Sequence, residues 1–191
     1  NSNSNSRMRM IEAAISLMRQ SGLSGAGINE IVRASGAPKG SVYHFFPQGK
    51  QQIVAEALTI YAQRVSEFIE ESMRRRKQPH DKLLALFSAF AKRVEDAGFL
   101  QSCAVGTVSL DLDASMDELR PLLDAAFANW RQVILHQLEL PENRNNKALA
   151  GLILSTIEGA YIRSRAEHSS RPFKEAGGML AQLLPSMPQQ E

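Results

Sequence analysis

Lys39, Ser41, Tyr43 and His44 put a cation, a hydroxyl, a phenol and an imidazole into one short stretch, Pro38-Lys39-Gly40-Ser41-Val42-Tyr43-His44-Phe45-Phe46. These are groups that bond phosphate oxygens and base edges. On a helix, Val42 and Phe45 or Phe46 fall on one side and anchor it in a core, while the polar groups face away. Gly40 has no side chain to hold a partner off. A glycine inside a helix costs about 1 kcal/mol against alanine, and close approach to DNA supplies a reason for it. Lys50 opens the next long helix, where a cation opposes the helix dipole; a phosphate partner would offset that cost. The competing reading is a three-helix structural unit with ordinary surface polar groups.

The charge distribution agrees with a polyanion partner. Over residues 1–55, six cations (Arg7, Arg9, Arg19, Arg33, Lys39 and Lys50) stand against Glu12 and Glu30, a net +4. The whole chain carries only +2, so the remainder is slightly acidic. Arg74-Arg75-Arg76-Lys77 reads as the solvated last turn of a helix, where cations suit the dipole. Elsewhere the chemistry is sparse. His44, His80, His136 and His168 are scattered, and no nucleotide-cradling glycine loop or Gly-x-Ser-x-Gly elbow occurs. The single Cys103 cannot make an internal disulfide or a four-ligand zinc site. It reads as a small buried thiol, with adduct or redox sensing as the alternative. No cofactor, no metal and no enzymatic activity are expected.

With 191 residues, 43% apolar and 22% charged, the chain has a globular balance and length enough for a sizeable core. No apolar run approaches the roughly 18 residues of a membrane span. No export signal is visible, so a reducing, cytoplasmic compartment is expected. Residues 1–6, an alternation of Asn and Ser, are expected to form a disordered leader.

From residue 7 onward, apolar spacing predicts an all-α chain of about nine helices. Ile11, Ala14, Ile15 and Met18 mark the first, ending at Ser21-Gly22. A helix over 28–34, a turn at Ser35-Gly36-Ala37 and a helix over 38–45, with Pro38 as its first residue, make a helix-turn-helix. Such a unit places its second helix in a major groove. A 25-residue helix follows from Lys50. Further helices are expected from Leu83 to Val94, over 105–112, from Ser115 or Arg120 to Leu138, over 143–168 and over 172–184. The segment 108–113 alternates apolar and polar as a strand would, yet no second strand exists to pair with it, and a lone strand is not stable. The expected domains are a DNA-binding head over 7–49 and a helical body over 50–191.

The run from Ile28-Asn29-Glu30-Ile31-Val32-Arg33-Ala34-Ser35-Gly36-Ala37 through Pro38-Lys39-Gly40-Ser41-Val42-Tyr43-His44-Phe45-Phe46-Pro47 resembles the DNA-binding head of the TetR repressor family. Phe46-Pro47-Gln48-Gly49-Lys50 and Ser102-Cys103-Ala104-Val105-Gly106 are similar to a branch linked to drug- and lincomycin-resistance regulators. The resemblance implies that Lys39, Ser41, Tyr43 and His44 face operator DNA, close to Gly40, and that Lys50 meets a phosphate. Members usually carry a Thr pair before the second helix, one hydroxyl of which caps the helix and touches a phosphate. This chain has Ala26-Gly27 there; Asn29 is the candidate replacement.

The resemblance also implies a homodimer sealed by the last two helices, through Leu149, Ile153, Ile157 and Tyr161 on one and Leu180, Leu183 and Leu184 on the other. By spacing alone, those stripes could equally be core. Tyr61, Phe87, Phe90, Phe127, Trp130 and Glu158, with Cys103, are candidates to line a pocket for an apolar small-molecule inducer, although each is also an ordinary core type. The expected function is a repressor released from a palindromic operator by that inducer. A ligand-independent or activating regulator of the same fold is the alternative.

Overall fold

The computed structural model describes residues 2–184. Among them there are nine α-helices and no strand: α1 (Ser2–Gly25), α2 (Ile28–Ser35), α3 (Val42–Phe45), α4 (Lys50–Arg74), α5 (Pro79–Asp96), α6 (Ala104–Leu110), α7 (Arg120–Gln137), α8 (Arg144–Glu167) and α9 (Arg171–Leu183). Short 3-10 turns, Lys39–Ser41 and Ala114–Leu119, precede α3 and α7. No described helix is long and apolar enough to cross a membrane.

The helix ends follow local chemistry. Gly36, at φ 62°, takes the left-handed turn that closes α2. Asn143 caps α8 by accepting from the Asn146 amide. Pro79 sits in the first turn of α5, where its missing N–H costs nothing. At the α7 entrance Asp113 accepts from the Ser115 amide, and α7 begins at Arg120, the later of the two expected starts. The alternating segment is helical. Val108 is buried and Leu110 is 82% exposed because they lie on opposite sides of the short α6.

Two sequence expectations need correction. α1 begins at Ser2, so residues 2–6 of the expected leader are helical; residue 1 lies outside the described residues. Once a turn exists, each added residue gains a hydrogen bond, so a polar segment can extend a helix that packing has already nucleated. The expected continuous helix over 38–45 is a 3-10 turn followed by a single α-turn. Pro38 stands outside it as the cap, with extended backbone (φ −62°, ψ 132°), and its carbonyl accepts from the Ser41 hydroxyl at 2.6 Å.

The chain forms two compact units, with divisions that fall within α4 and α7. The first holds residues up to Gln63 together with Ser102–Ala126; the second holds Arg64–Gln101 and residues from Phe127 on. In the first, α1 packs on α2 and α6, over a core that includes Met10, Ile11, Met18, Ile31, Val42, Phe46 and Ile53. In the second, α9 packs on α5 and α8. Phe90 stacks on Phe173 (centroids 5.9 Å apart, 11° between planes), and Tyr161 meets both rings edge-on. α9 lies tight against α5 at Gly177, where a Cβ would be 2.5 Å from the Phe87 Cβ.

Candidate nucleic-acid interface

Val42 and Phe46 are fully buried and hold the Lys39–Phe45 segment to the first unit. The residues between and before them turn outward. Lys39, Gly40, Tyr43 and His44 are exposed, Tyr43 to 65%, and Ser41 is half-buried with its hydroxyl on the Pro38 carbonyl. The Tyr43 ring lies over Gly49, whose Cβ, if present, would be 3.3 Å from it. His44 is steadied by an edge contact with Phe45 at 5.1 Å. A Cβ on Gly40 would meet nothing within 4 Å. Internal packing therefore does not demand glycine there.

The six cations of this region divide evenly. Arg7 pairs with Glu56 and lies over the Phe46 ring. Arg19 donates from Nε to the Ser102 carbonyl at 3.0 Å. Lys50, expected to meet a phosphate, instead donates from Nζ to the Leu23 carbonyl at 2.9 Å and is half-buried. Its long stem reaches back across the start of α4 and satisfies the end of α1. Arg9, Arg33 and Lys39 remain exposed. Asn29 is exposed in the first turn of α2. The Gly27 cap makes no side-chain bond, and the Glu30 carboxylate fills the place a Cβ would take, with Oε2 2.4 Å from it.

An anchored short helix after a glycine turn, with an exposed polar crest, is the geometry of a DNA-reading helix-turn-helix. The family model for bacterial regulatory proteins of the tetR family matches residues 10–57, and the LmrA/YxaF-like transcriptional regulator C-terminal domain matches residues 79–179. The chain belongs to the TetR family. It is similar to the uncharacterised helix-turn-helix regulator YxaF of Bacillus subtilis, 30% identical over 90% of this chain and 91% of the relative. It is 27% identical to the regulator LmrA of the same organism, over 94% and 96%. A regulatory protein TetR from Rhodobacter sphaeroides superposes with a TM-score of 0.83 at 21% identity, over 92% and 96%. The family is one of transcriptional regulators, not enzymes.

In the body of this TetR-family chain most of the remaining candidate residues are buried, in keeping with the core role that their types also allowed. Phe87 and Phe90, taken as pocket lining, belong to the packed aromatic cluster with Tyr161 and Phe173. Trp130 is buried with Phe127 edge-on against it at 5.6 Å, and Glu158 is half-buried in the same unit. Tyr61 and Cys103 are buried in the other unit, where the Cys103 Sγ accepts from the Gly106 amide and caps α6. A groove of about 300 Å³ in the second unit is lined instead by Ala128, Asn129, Arg131, Gln132, Leu135, Lys147 and Ala150.

Most of the candidate dimer stripe follows its alternative reading as core. Ile153, Ile157, Tyr161, Leu180 and Leu184 are buried within the chain itself, and Leu149 is half-buried. Of that set Leu183 alone is exposed, to 66%. The large apolar groups that α8 and α9 leave in solvent are Leu152, Ile162, Met179 and Leu183. Sequence reasoning did not single out Ile162 on α8 or Met179 on α9, because spacing does not say which side of an apolar helix its own chain takes. It also missed Asp111, which bonds the Ser24 amide and lay hidden in the strand-like alternation.

Proposed function

We propose that two copies of this chain form a homodimeric repressor that binds a palindromic operator in the cytoplasm and leaves it when a small apolar inducer binds. The observation that carries the DNA part is the crest of Lys39, Gly40, Tyr43 and His44, held outward by the buried Val42 and Phe46. Lys39 and His44 can donate to phosphates or base acceptors. Tyr43 offers a phenol on a rigid ring, and Gly40 admits the DNA backbone. Asn29 and the exposed Arg9 and Arg33 add candidate phosphate contacts. Exposed Leu152, Ile162, Met179 and Leu183 support pairing through α8 and α9, because apolar groups of this size in solvent favour burial. Two heads would then address two half-sites.

An inducer acts only through its different affinity for the two conformations. The groove of the second unit, whose lining includes Ala128, Leu135 and Ala150, supports a place for such a ligand. One observation favours a second reading, a regulator that needs no ligand: Phe87 and Phe90 pack against neighbouring rings rather than around a cavity. Selection of bound duplexes from a random DNA pool tests the main reading. Enrichment of an inverted repeat is the expected result, and an unenriched pool overturns it. Apolar compounds added to the pre-formed complex then separate the two readings, since only a sensor lets go.

A further inference from the structure

At Gly22, α1 leaves helical geometry, with φ 69° and ψ −162°, a region essentially restricted to glycine. The last residues of α1 are thereby turned off its axis just before α2. The backbone groups around this bend find partners from three other places. The Met18 carbonyl accepts from the Thr107 hydroxyl of α6 at 2.7 Å. The Arg19 carbonyl accepts from the Ser102 amide at 2.8 Å. The Leu23 carbonyl accepts from Lys50, and the Ser24 amide donates to Asp111 Oδ2 at 2.6 Å. The approach is tight: a Cβ on Gly22 would lie 3.0 Å from the same Asp111 oxygen and 3.5 Å from the Thr107 carbonyl. All of these groups belong to the first compact unit.

We infer that Asp111 is a positioning residue for DNA binding: from the end of α6 it fixes the bend at Gly22 and so sets the direction in which α2 and the Lys39–His44 crest leave α1. This rests on the DNA-binding reading above. Asp111 is itself exposed and packs little apolar surface, so its contribution lies in direction rather than in core stability. The bond is charge-assisted, since an ionised carboxylate receives a backbone N–H. Lys50 on the neighbouring carbonyl adds attraction from the other side of the bend.

The experiment compares the full chain with Asp111→Ala, Asp111→Asn and, as a control on the same helix, Ser109→Ala. Three quantities are measured: affinity for the duplex selected from the random pool, amide hydrogen exchange over residues 22–27, and the thermal midpoint. Asp111→Ala should bind about tenfold more weakly and exchange faster over 22–27, with its midpoint within about 2 °C of the parent. Asp111→Asn keeps an acceptor without the charge and should fall between; Ser109→Ala should match the parent. Unchanged affinity in Asp111→Ala overturns the inference. So does a loss of protection spread over the whole chain with a fallen midpoint, which would mark a general structural role. A parent chain that selects no duplex overturns the DNA-binding reading instead, and exchange over 22–27 then judges the Asp111 contact by itself.

Discussion

Lys39 and Lys50 carry the same charge, and only one of them is offered to solvent. Each phosphate neutralised by a cation contributes about 0.9 to the slope of log affinity against log salt. Lys39→Ala should therefore flatten that slope by about one unit. Lys50→Ala should leave the slope nearly unchanged while lowering affinity and loosening the end of α1, because its ammonium is held by the Leu23 carbonyl. A salt titration of both variants checks this. Tyr43→Ala should abolish operator binding with helicity and dimer intact, as judged by fluorescence anisotropy, circular dichroism and gel filtration. An exposed side chain changes stability by about 0.5 kcal/mol or less when removed; a collapsed variant would instead place Tyr43 in the core. Residue types and spacing alone made Tyr43, His44, Lys39 and Gly40 legible as a crest. They could not reveal that Lys50 is consumed internally, because a lysine's reach lets its charge settle several ångströms from its backbone.

At the scale of elements, the pattern of turns and breakers translated well. Gly36 and Pro79 stop and start helices where their backbone preferences require. The short α6 emerged from an alternating segment only because strand pairing was unavailable. What spacing could not decide was the orientation of α8. Leu152 and Ile153 are adjacent and similarly apolar, yet one is 50% exposed and the other fully buried. The choice is made by α9 and α5, which no local window contains. This gives a sharp contrast. Leu183→Asp should dissociate the dimer in sedimentation and leave the monomer folded. Leu180→Asp, three residues earlier, should unfold the protein, because it would bury an unpaired charge.

Among the described residues, five surface carboxylates are held below their ordinary pKa by neighbouring donors and cations. Glu95 is held below the usual carboxylate value by the Ser170 hydroxyl and by Lys174, and Glu139 by Lys82. Asp111 is lowered by the Ser24 amide, Asp113 by the Ser115 hydroxyl and amide, and Glu167 by Arg171 and Arg163. Lowered values mean that the folded state prefers these groups ionised. Their contribution is full above the ordinary values of 4.5 and 3.8 and disappears as pH falls through the lower folded values. Thermal midpoints should accordingly be level from about pH 7 to about pH 5 and decline below about pH 4. The groups are exposed, so added salt should blunt the decline. These ties link residues distant in sequence, such as Glu95 with Ser170, and composition gives no hint of them.

The near-contact of α9 with α5 at Gly177 has a bearing on assembly. Nothing there but hydrogen fits beside Phe87, so even one methyl group would wedge the two helices apart. Met179 and Leu183 ride on the same rigid rod, two and six residues further on, and would be carried with it. If copies pair through Met179 and Leu183, as proposed, their recognition depends on an atom's width inside the chain, and a mutation buried beside Phe87 would unmake the pair as surely as one on the surface.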